Sequence, residues 1–228
     1  MCGRFTQKAP WENVSSHFDV KNTPSKTMFE PRYNIAPSQT ISAIRELENS
    51  REAAPLKWGL VPSWAKEADI GNRMINARAE TLTEKPSFRE AFRSRRCIIP
   101  ATGFYEWQKV EKGAKQPHYF YLKETEVFGF AGLWEEWLDK STGELLETCT
   151  IITTEANEVL KPVHERMPVI LKVENYDEWL DPKVKDTDKL QNLLVPYAAK
   201  EMDEHPVSRS VNIVSSDTPE LIVPINSL

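Results

Sequence analysis

Cys2 directly follows Met1. Methionine aminopeptidase clears Met1 when the next side chain is small, so the expected mature chain starts on a cysteine carrying its α-amine and thiol on adjacent carbons. Such an aminothiol captures an aldehyde as a Schiff base at nitrogen, and its sulfur then closes a thiazolidine ring that a lysine cannot form. An α-amine titrates near ~8 against ~10.4 for lysine, so at neutral pH its unprotonated fraction is roughly a hundredfold larger. The thiol, at ~8.5, is expected to be partly thiolate. Gly3-Arg4-Phe5-Thr6 reads as a short strand, which would hold the terminus in the fold and set a cation two residues from the nucleophile.

Five further segments carry polar or aromatic groups where a core residue would be expected. In Met74-Ile75-Asn76-Ala77-Arg78-Ala79-Glu80-Thr81 a strand would place Asn76, Arg78 and Glu80 on one face. That face is either simply solvated or a hydrogen-bonding amide beside a phosphate-type fork. Gly103-Phe104-Tyr105-Glu106-Trp107 sets a carboxyl among aromatic rings, where it either points outward or acquires a raised pKa suited to moving protons near neutrality. His164, in Val163-His164-Glu165-Arg166-Met167-Pro168, occupies a turn at the mouth of an apolar strand and is either structural or catalytic. Tyr33-Asn34-Ile35-Ala36-Pro37 and Trp58-Gly59-Leu60-Val61-Pro62-Ser63-Trp64 are rich in rings and proline, which pack a core or, when exposed, wedge between the bases of a single strand.

These groups sit in a chain of 228 residues, long enough for a sizeable core and without a linker-like interruption, so a single domain over 1–228 is expected. No apolar run is long enough to span a bilayer and no signal-like segment opens the chain, which points to a cytoplasmic protein with no membrane partner. The net charge of −5 conceals an asymmetry: residues 1–114 hold 18 Lys+Arg against 13 Asp+Glu, whereas residues 115–228 hold 11 against 21. The basic half contains Cys2, and a phosphate backbone responds to such a local potential rather than to the total. Cys97 and Cys149 lie in apolar strand contexts and read as buried structural thiols. The four histidines show no ligand spacing with the cysteines, so neither a metal nor any other cofactor is expected.

Short strands separated by turns dominate the pattern. Strands are expected over 40–47, 96–99, 103–110, 117–123, 127–137, 146–154, 168–173 and 207–214, with helices over 10–18, 87–95, 175–180 and 187–194 and a helix or turn over 157–163. Ser87 and Asp186 are the candidate helix caps. The class this implies is α+β and strand-rich: curled antiparallel or mixed sheets, like an open barrel, with peripheral helices.

Taken in order, Met1-Cys2-Gly3-Arg4-Phe5, Tyr33-Asn34-Ile35-Ala36-Pro37, Trp58-Gly59-Leu60-Val61-Pro62-Ser63-Trp64, Asn76-Ala77-Arg78-Ala79-Glu80-Thr81, Arg96-Cys97-Ile98-Ile99-Pro100, Gly103-Phe104-Tyr105-Glu106-Trp107 and His164-Glu165-Arg166-Met167-Pro168 resemble the SRAP family of SOS-response-associated peptidases or abasic-site-processing proteins. The match spans nearly the whole chain. The resemblance implies a monomeric sensor of abasic sites in single-stranded DNA, with Cys2 as the nucleophile that forms a covalent crosslink. It further implies that Asn76 orients the sugar, that Glu106 moves protons during ring opening and Schiff-base formation, and that His164 assists. Arg4 and Arg78 would hold flanking phosphates, while Pro37 and Trp64 would interrupt base stacking. Two other classes stay open: a thiol-dependent peptidase or autopeptidase using Cys2 with His164 as base, and a non-covalent single-strand binder.

Overall fold

The computed structural model describes residues 2–22, 30–111 and 113–225; Met1, and with it the start of the Cys2 motif, lies outside them. The strands in chain order are β1 (Phe5–Gln7), β2 (Arg32–Ile35), β3 (Thr40–Leu47), β4 (Ser50–Trp58), β5 (Asn76–Arg78), β6 (Arg96–Ala101), β7 (Gly103–Gln108), β8 (Gln116–Leu122), β9 (Phe128–Leu138), β10 (Leu145–Glu155), β11 (Arg166–Pro168), β12 (Ile170–Leu171) and β13 (Met202–Pro206). The helices are α1 (Trp11–Phe18), α2 (Arg89–Ser94), α3 (Tyr176–Leu180) and α4 (Thr187–Gln191).

The larger sheet curls far enough to close. Its order runs β10, β4, β3, β6, β9, and the long β9–β10 hairpin, pairing Leu138 with Leu145 through Gly132 with Ile151, returns the ring to its start. Only the β4–β10 contact in this ring is parallel, at Lys57–Thr148 and Trp58–Cys149. The second sheet, β13-β8-β7-β1-β2, is antiparallel throughout. The strand-rich α+β class with peripheral helices is as expected, and the curled sheet is a closed barrel.

Strands β6 and β9 are buried on both faces, which accounts for their nearly unbroken apolar sequences. Cys97, Ile99 and Phe130 point into a cluster shared with Phe5, Trp58 and Phe104, while Ile98, Ala131 and Leu133 pack beneath the helices with Phe18, Phe92 and Trp179. Phe5 carries β1 into the first cluster, edge-on to Trp58 at 5.3 Å and to Phe130 at 5.8 Å. Between β6 and β7 the chain crosses from barrel to sheet at Thr102, whose hydroxyl lies 2.9 Å from that of Thr6. Gly103 is required there, because a Cβ would come within 2.2 Å of the Tyr119 hydroxyl oxygen.

Local signals misled the sequence reading in identifiable places. The strand expected over 207–214 is absent: β13 ends at Pro206, Val207 forms only an isolated bridge to Pro224, and a 3-10 turn, Arg209–Asn212, follows, started by the Ser208 side chain accepting from the Ser210 N–H and leaving Ile213 and Val214 exposed. Ser87 does not cap α2, whose cap position is Phe88. The strand read over 74–81 shortens to β5, and Glu80 falls in a 3-10 turn, Ala79–Thr81. The segment over 168–173 divides into β11 and β12. Asp186 caps α4 as expected, accepting from the N–H groups of Asp188 and Lys189. Strands β2, β4 and β13 were not anticipated. Pro55 obscured β4, yet it pairs with Ser42 of β3 at a position where β10 has not begun to pair, so its missing N–H costs no ladder bond on that side.

Among the described residues no helix is long and apolar enough to cross a membrane, and no cluster of His, Cys, Asp and Glu could hold a metal ion. The three cysteines are buried and free.

Candidate active site

Cys2 is fully buried just ahead of β1. Two backbone relationships fix it: the Arg4 carbonyl accepts from the Tyr105 N–H at 2.9 Å, tying the segment to β7, and the Cys2 carbonyl accepts from Asn76 Nδ2 at 2.8 Å. Burial pushes the thiol well above its ordinary value, the nearby Glu106 carboxyl adds to this, and the Arg4 N–H opposes it. A thiol partly ionised at neutral pH was the sequence expectation, and its environment disfavours the thiolate.

Asn76 opens β5, a short strand laid parallel to β10 with Asn76 opposite Ile151. A closely packed glycine pair delivers the chain there: a Cβ on Gly59 would meet the Gly71 carbonyl oxygen at 2.7 Å. With Nδ2 committed to Cys2, Asn76 Oδ1 is buried with no hydrogen-bond partner among the described residues. A buried acceptor in that state is a site awaiting a donor.

Glu106 projects from β7 on the same side as Phe104, facing the cluster that holds Cys2, and is 3 % exposed. Of the two orientations left open by the sequence, the inward one is observed. Burial raises its carboxyl above the usual carboxylate range, and His164 pulls it partway back. His164 sits in the turn leading to β11, where Asn157 Oδ1 caps the Leu160 N–H and the His164 N–H donates to the Leu160 carbonyl. The Arg166 N–H donates to His164 Nδ1 at 3.0 Å, so the neutral ring carries its proton on Nε2. Cys2, Asn76, Glu106 and His164 therefore converge from β1, β5, β7 and the β11 turn.

The remaining predicted residues divide. Arg78 is exposed on β5, next to Asn76. Trp64 is 59 % exposed and walls a groove of about 550 Å³ with Lys66, Asn72 and Arg73. Pro37, half-buried in the β2–β3 turn, borders the same face through Ser38, whose hydroxyl donates to Asn72 Oδ1. Arg4 is only half-buried, but its Nη1 donates to Asn34 Oδ1 and to the Val211 carbonyl, both at 2.7 Å, and its guanidinium lies 5.9 Å from the Trp107 ring. Arg4 thus ties the start of the chain to the segment beyond β13.

Sequence reasoning gave no role to Arg166, whose guanidinium grips Glu80 through two bonds, at 2.6 and 2.9 Å, and donates to the Thr153 carbonyl. This pairing holds the Glu80 carboxyl below its usual range and takes Glu80 off the face shared by Asn76 and Arg78. A second groove, about 320 Å³, lies beside His164 and is lined by Trp107, Lys109, Lys115, Lys161 and Glu165, so it is cationic where the Trp64 groove, with Glu67 and Asp69 beside Lys66 and Arg73, is not. The motif containing Arg166 was visible, but its partner lies 86 residues away.

Comparison with known proteins places this arrangement in a family. The family model "SOS response associated peptidase (SRAP)" matches residues 1–214, and the chain belongs to the SRAP family. It is 48% identical over 222 residues to "Abasic site processing protein YoqW" of Bacillus subtilis (strain 168), covering 97% of this chain and 99% of that protein. It is 33% identical to "Abasic site processing protein HMCES" of Gallus gallus, covering 86% of this chain and 67% of that protein. A crystal structure of a protein from Bacteroides thetaiotaomicron superposes with a TM-score of 0.91 at 30% identity, over 98% of this chain and all of the other.

Proposed function

We propose that this protein processes abasic sites in single-stranded DNA, acting as a cytoplasmic monomer that crosslinks itself to the damaged sugar through Cys2 once Met1 is removed. The names of its relatives support the abasic site as target. The observation that carries the chemistry is the Asn76 amide, which holds Cys2 through Nδ2 and keeps a buried acceptor, Oδ1, next to it for a sugar hydroxyl or the Cys2 amine.

An abasic sugar is mostly a closed hemiacetal, so its ring must open by proton transfer before an amine can react. Glu106, held toward its protonated form by burial, is suited to give a proton to the ring oxygen and to take back the one released from the anomeric hydroxyl, which leaves it protonated again. The Cys2 amine then adds to the exposed aldehyde carbon. The resulting hydroxyl takes a proton from Glu106 and leaves as water, which forms the Schiff base. Addition of the thiol to the carbon of the protonated Schiff base closes the thiazolidine, with the thiol proton passing to the Glu106 carboxylate as the sulfur bonds and the ring nitrogen keeping the proton it already carries. In sum, amine, thiol and aldehyde give one ring and one water. His164 Nε2–H supplies a second donor to the sugar. Ring closure protects the strand, because a lingering Schiff base acidifies the adjacent carbon and invites β-elimination of the 3′ phosphate.

Arg78 and Arg4 would meet the flanking phosphates, and Trp64 with Pro37 would break the stack on either side of the lesion. A thiol peptidase would require a thiolate nucleophile, and the burial of Cys2 weighs against it. The test is to incubate the purified protein with an oligonucleotide bearing one abasic site and to heat the mixture in detergent. A band of slower mobility that needs both the abasic site and Cys2 is expected. Loss of all bound DNA on heating would reduce the activity to non-covalent binding.

A further inference from the structure

Arg4 and Arg96 are both held by neutral partners, but their donors are used differently. Arg96 commits all three nitrogens to carbonyls: Nε to Trp179, Nη1 to Phe92, and Nη2 to Asp181 and Val184. Every side of its guanidinium is met, as a purely structural arginine requires. Arg4 commits Nη1 alone, to Asn34 Oδ1 and the Val211 carbonyl, both at 2.7 Å. Among the described residues its Nε is buried with no hydrogen-bond partner, Nη2 donates to nothing, and no carboxylate pairs with it. Burial disfavours the Arg4 charge, and no acid offsets that. A half-buried guanidinium that keeps its full charge and has donors unused is suited to an oxyanion.

Asn34, buried in β2, maintains that state. Its Nδ2 donates to the carbonyls of Val211, Ile213 and Ser216 at 3.3, 2.9 and 2.6 Å. Carbonyls only accept and Arg4 only donates, so the amide can sit one way, with Oδ1 toward Arg4. A carboxylate at this position would neutralise Arg4 and would face three carbonyls with no proton to share.

We propose that Asn34 is a positioning residue for DNA binding: it clamps Nη1 of Arg4 with a neutral acceptor, so that Nη2 and the undivided positive charge are kept for one phosphate flanking the captured sugar. This rests on the reading of Arg4 as a phosphate ligand given above. Asn34 touches no DNA in this scheme. It acts through Arg4, and the segment over 211–216 serves as the rigid backing that fixes the amide.

The test measures affinity for an intact single-stranded oligonucleotide over a salt series in wild type, Arg4→Ala, Asn34→Asp and the double variant. Asn34→Asp should lower the slope of log affinity against log salt by about 0.7, the loss of one phosphate contact on a single strand. Arg4→Ala should lower it equally, and the double variant no further. A packing role alone would leave the slope of Asn34→Asp at the wild-type value. That unchanged slope, or losses that add in the double variant, overturns the proposal. Asn34→Asp should also melt lower, so a second readout avoids it: nitrogen-15 NMR of the side chains as the same oligonucleotide is added. The Arg4 Nε and Asn34 Nδ2 signals should shift together in wild type, and the Asn34 signal should stay still in Arg4→Ala. An Asn34 signal that is unmoved in wild type, or that moves equally in both proteins, overturns the proposal as well. Heat-stable attachment of wild type to an abasic oligonucleotide is scored separately. Its failure overturns the chemistry at Cys2, whereas attachment with an indifferent Asn34 overturns this inference alone.

Discussion

Asn76 Nδ2 donates to the Cys2 carbonyl at 2.8 Å across 74 residues of sequence, joining a strand laid on the barrel to the chain entering the five-stranded sheet. The bond holds Cys2 from outside its own sheet. Replacing Asn76 by Ala should lower stability by only about 1 kcal/mol, the usual net contribution of one hydrogen bond. Crosslinking should slow at least tenfold, because the terminus loses its orientation. A melting curve paired with a crosslinking time course checks both, and an unchanged rate would show that Asn76 is only structural.

Glu106 links stability to pH with a definite sign. Burial raises its carboxyl in the fold relative to the unfolded chain, so the native state binds the proton more tightly. Its contribution is fully present below the unfolded carboxyl value of ~4.3 and is lost as pH rises through the higher folded value. Glu106→Gln should therefore melt higher than wild type at neutral pH, and the two curves should converge toward pH 4. Crosslinking by the same variant should fall on the order of a hundredfold or more, the usual contribution of a proton-transfer group. A variant less stable than wild type at pH 7.5 would contradict the burial argument.

Cys2→Ala keeps an α-amine and removes the sulfur. It should still form a Schiff base that borohydride traps, and without ring closure the outcome should shift toward cleavage of the strand. Equal heat-stable crosslinking by this variant and wild type would rule out the thiazolidine.

Trp64 and Arg78 should act on binding alone, since both are exposed. Trp64→Ala should weaken affinity for single-stranded DNA by ~1–3 kcal/mol, the value of one stacked base, with the melting temperature unchanged. Arg78→Ala should reduce the slope of log affinity against log salt by about 0.7, as expected for one lost phosphate contact on a single strand. Fluorescence anisotropy over a salt series measures both, and an intact slope would place Arg78 off the DNA path.

What the sequence made legible was local. Cys2 beside Met1, the carboxyl among rings at Glu106 and the ring-rich segment ending at Trp64 could be singled out by residue type, and β9 and β10 by length and apolar content. What it hid was pairing at a distance. Nothing near Lys57 indicates that it lies parallel to Thr148, the contact that with the β9–β10 hairpin closes the barrel. Nor does the strand-like alternation around Asn76 show that Glu80 turns away to meet Arg166. Arg4 shows the same limit: its bonds to Asn34 and to the Val211 carbonyl join it to residues far along the chain, and no local pattern encodes that tie.

The most direct measurement is mass spectrometry of the peptide that remains attached to an abasic oligonucleotide after heating and digestion. The account predicts an N-terminal fragment beginning at Cys2, without Met1, carrying the sugar as the aldehyde mass less one water and resistant to borohydride. A retained Met1, an adduct on a lysine, or no attached peptide would contradict it.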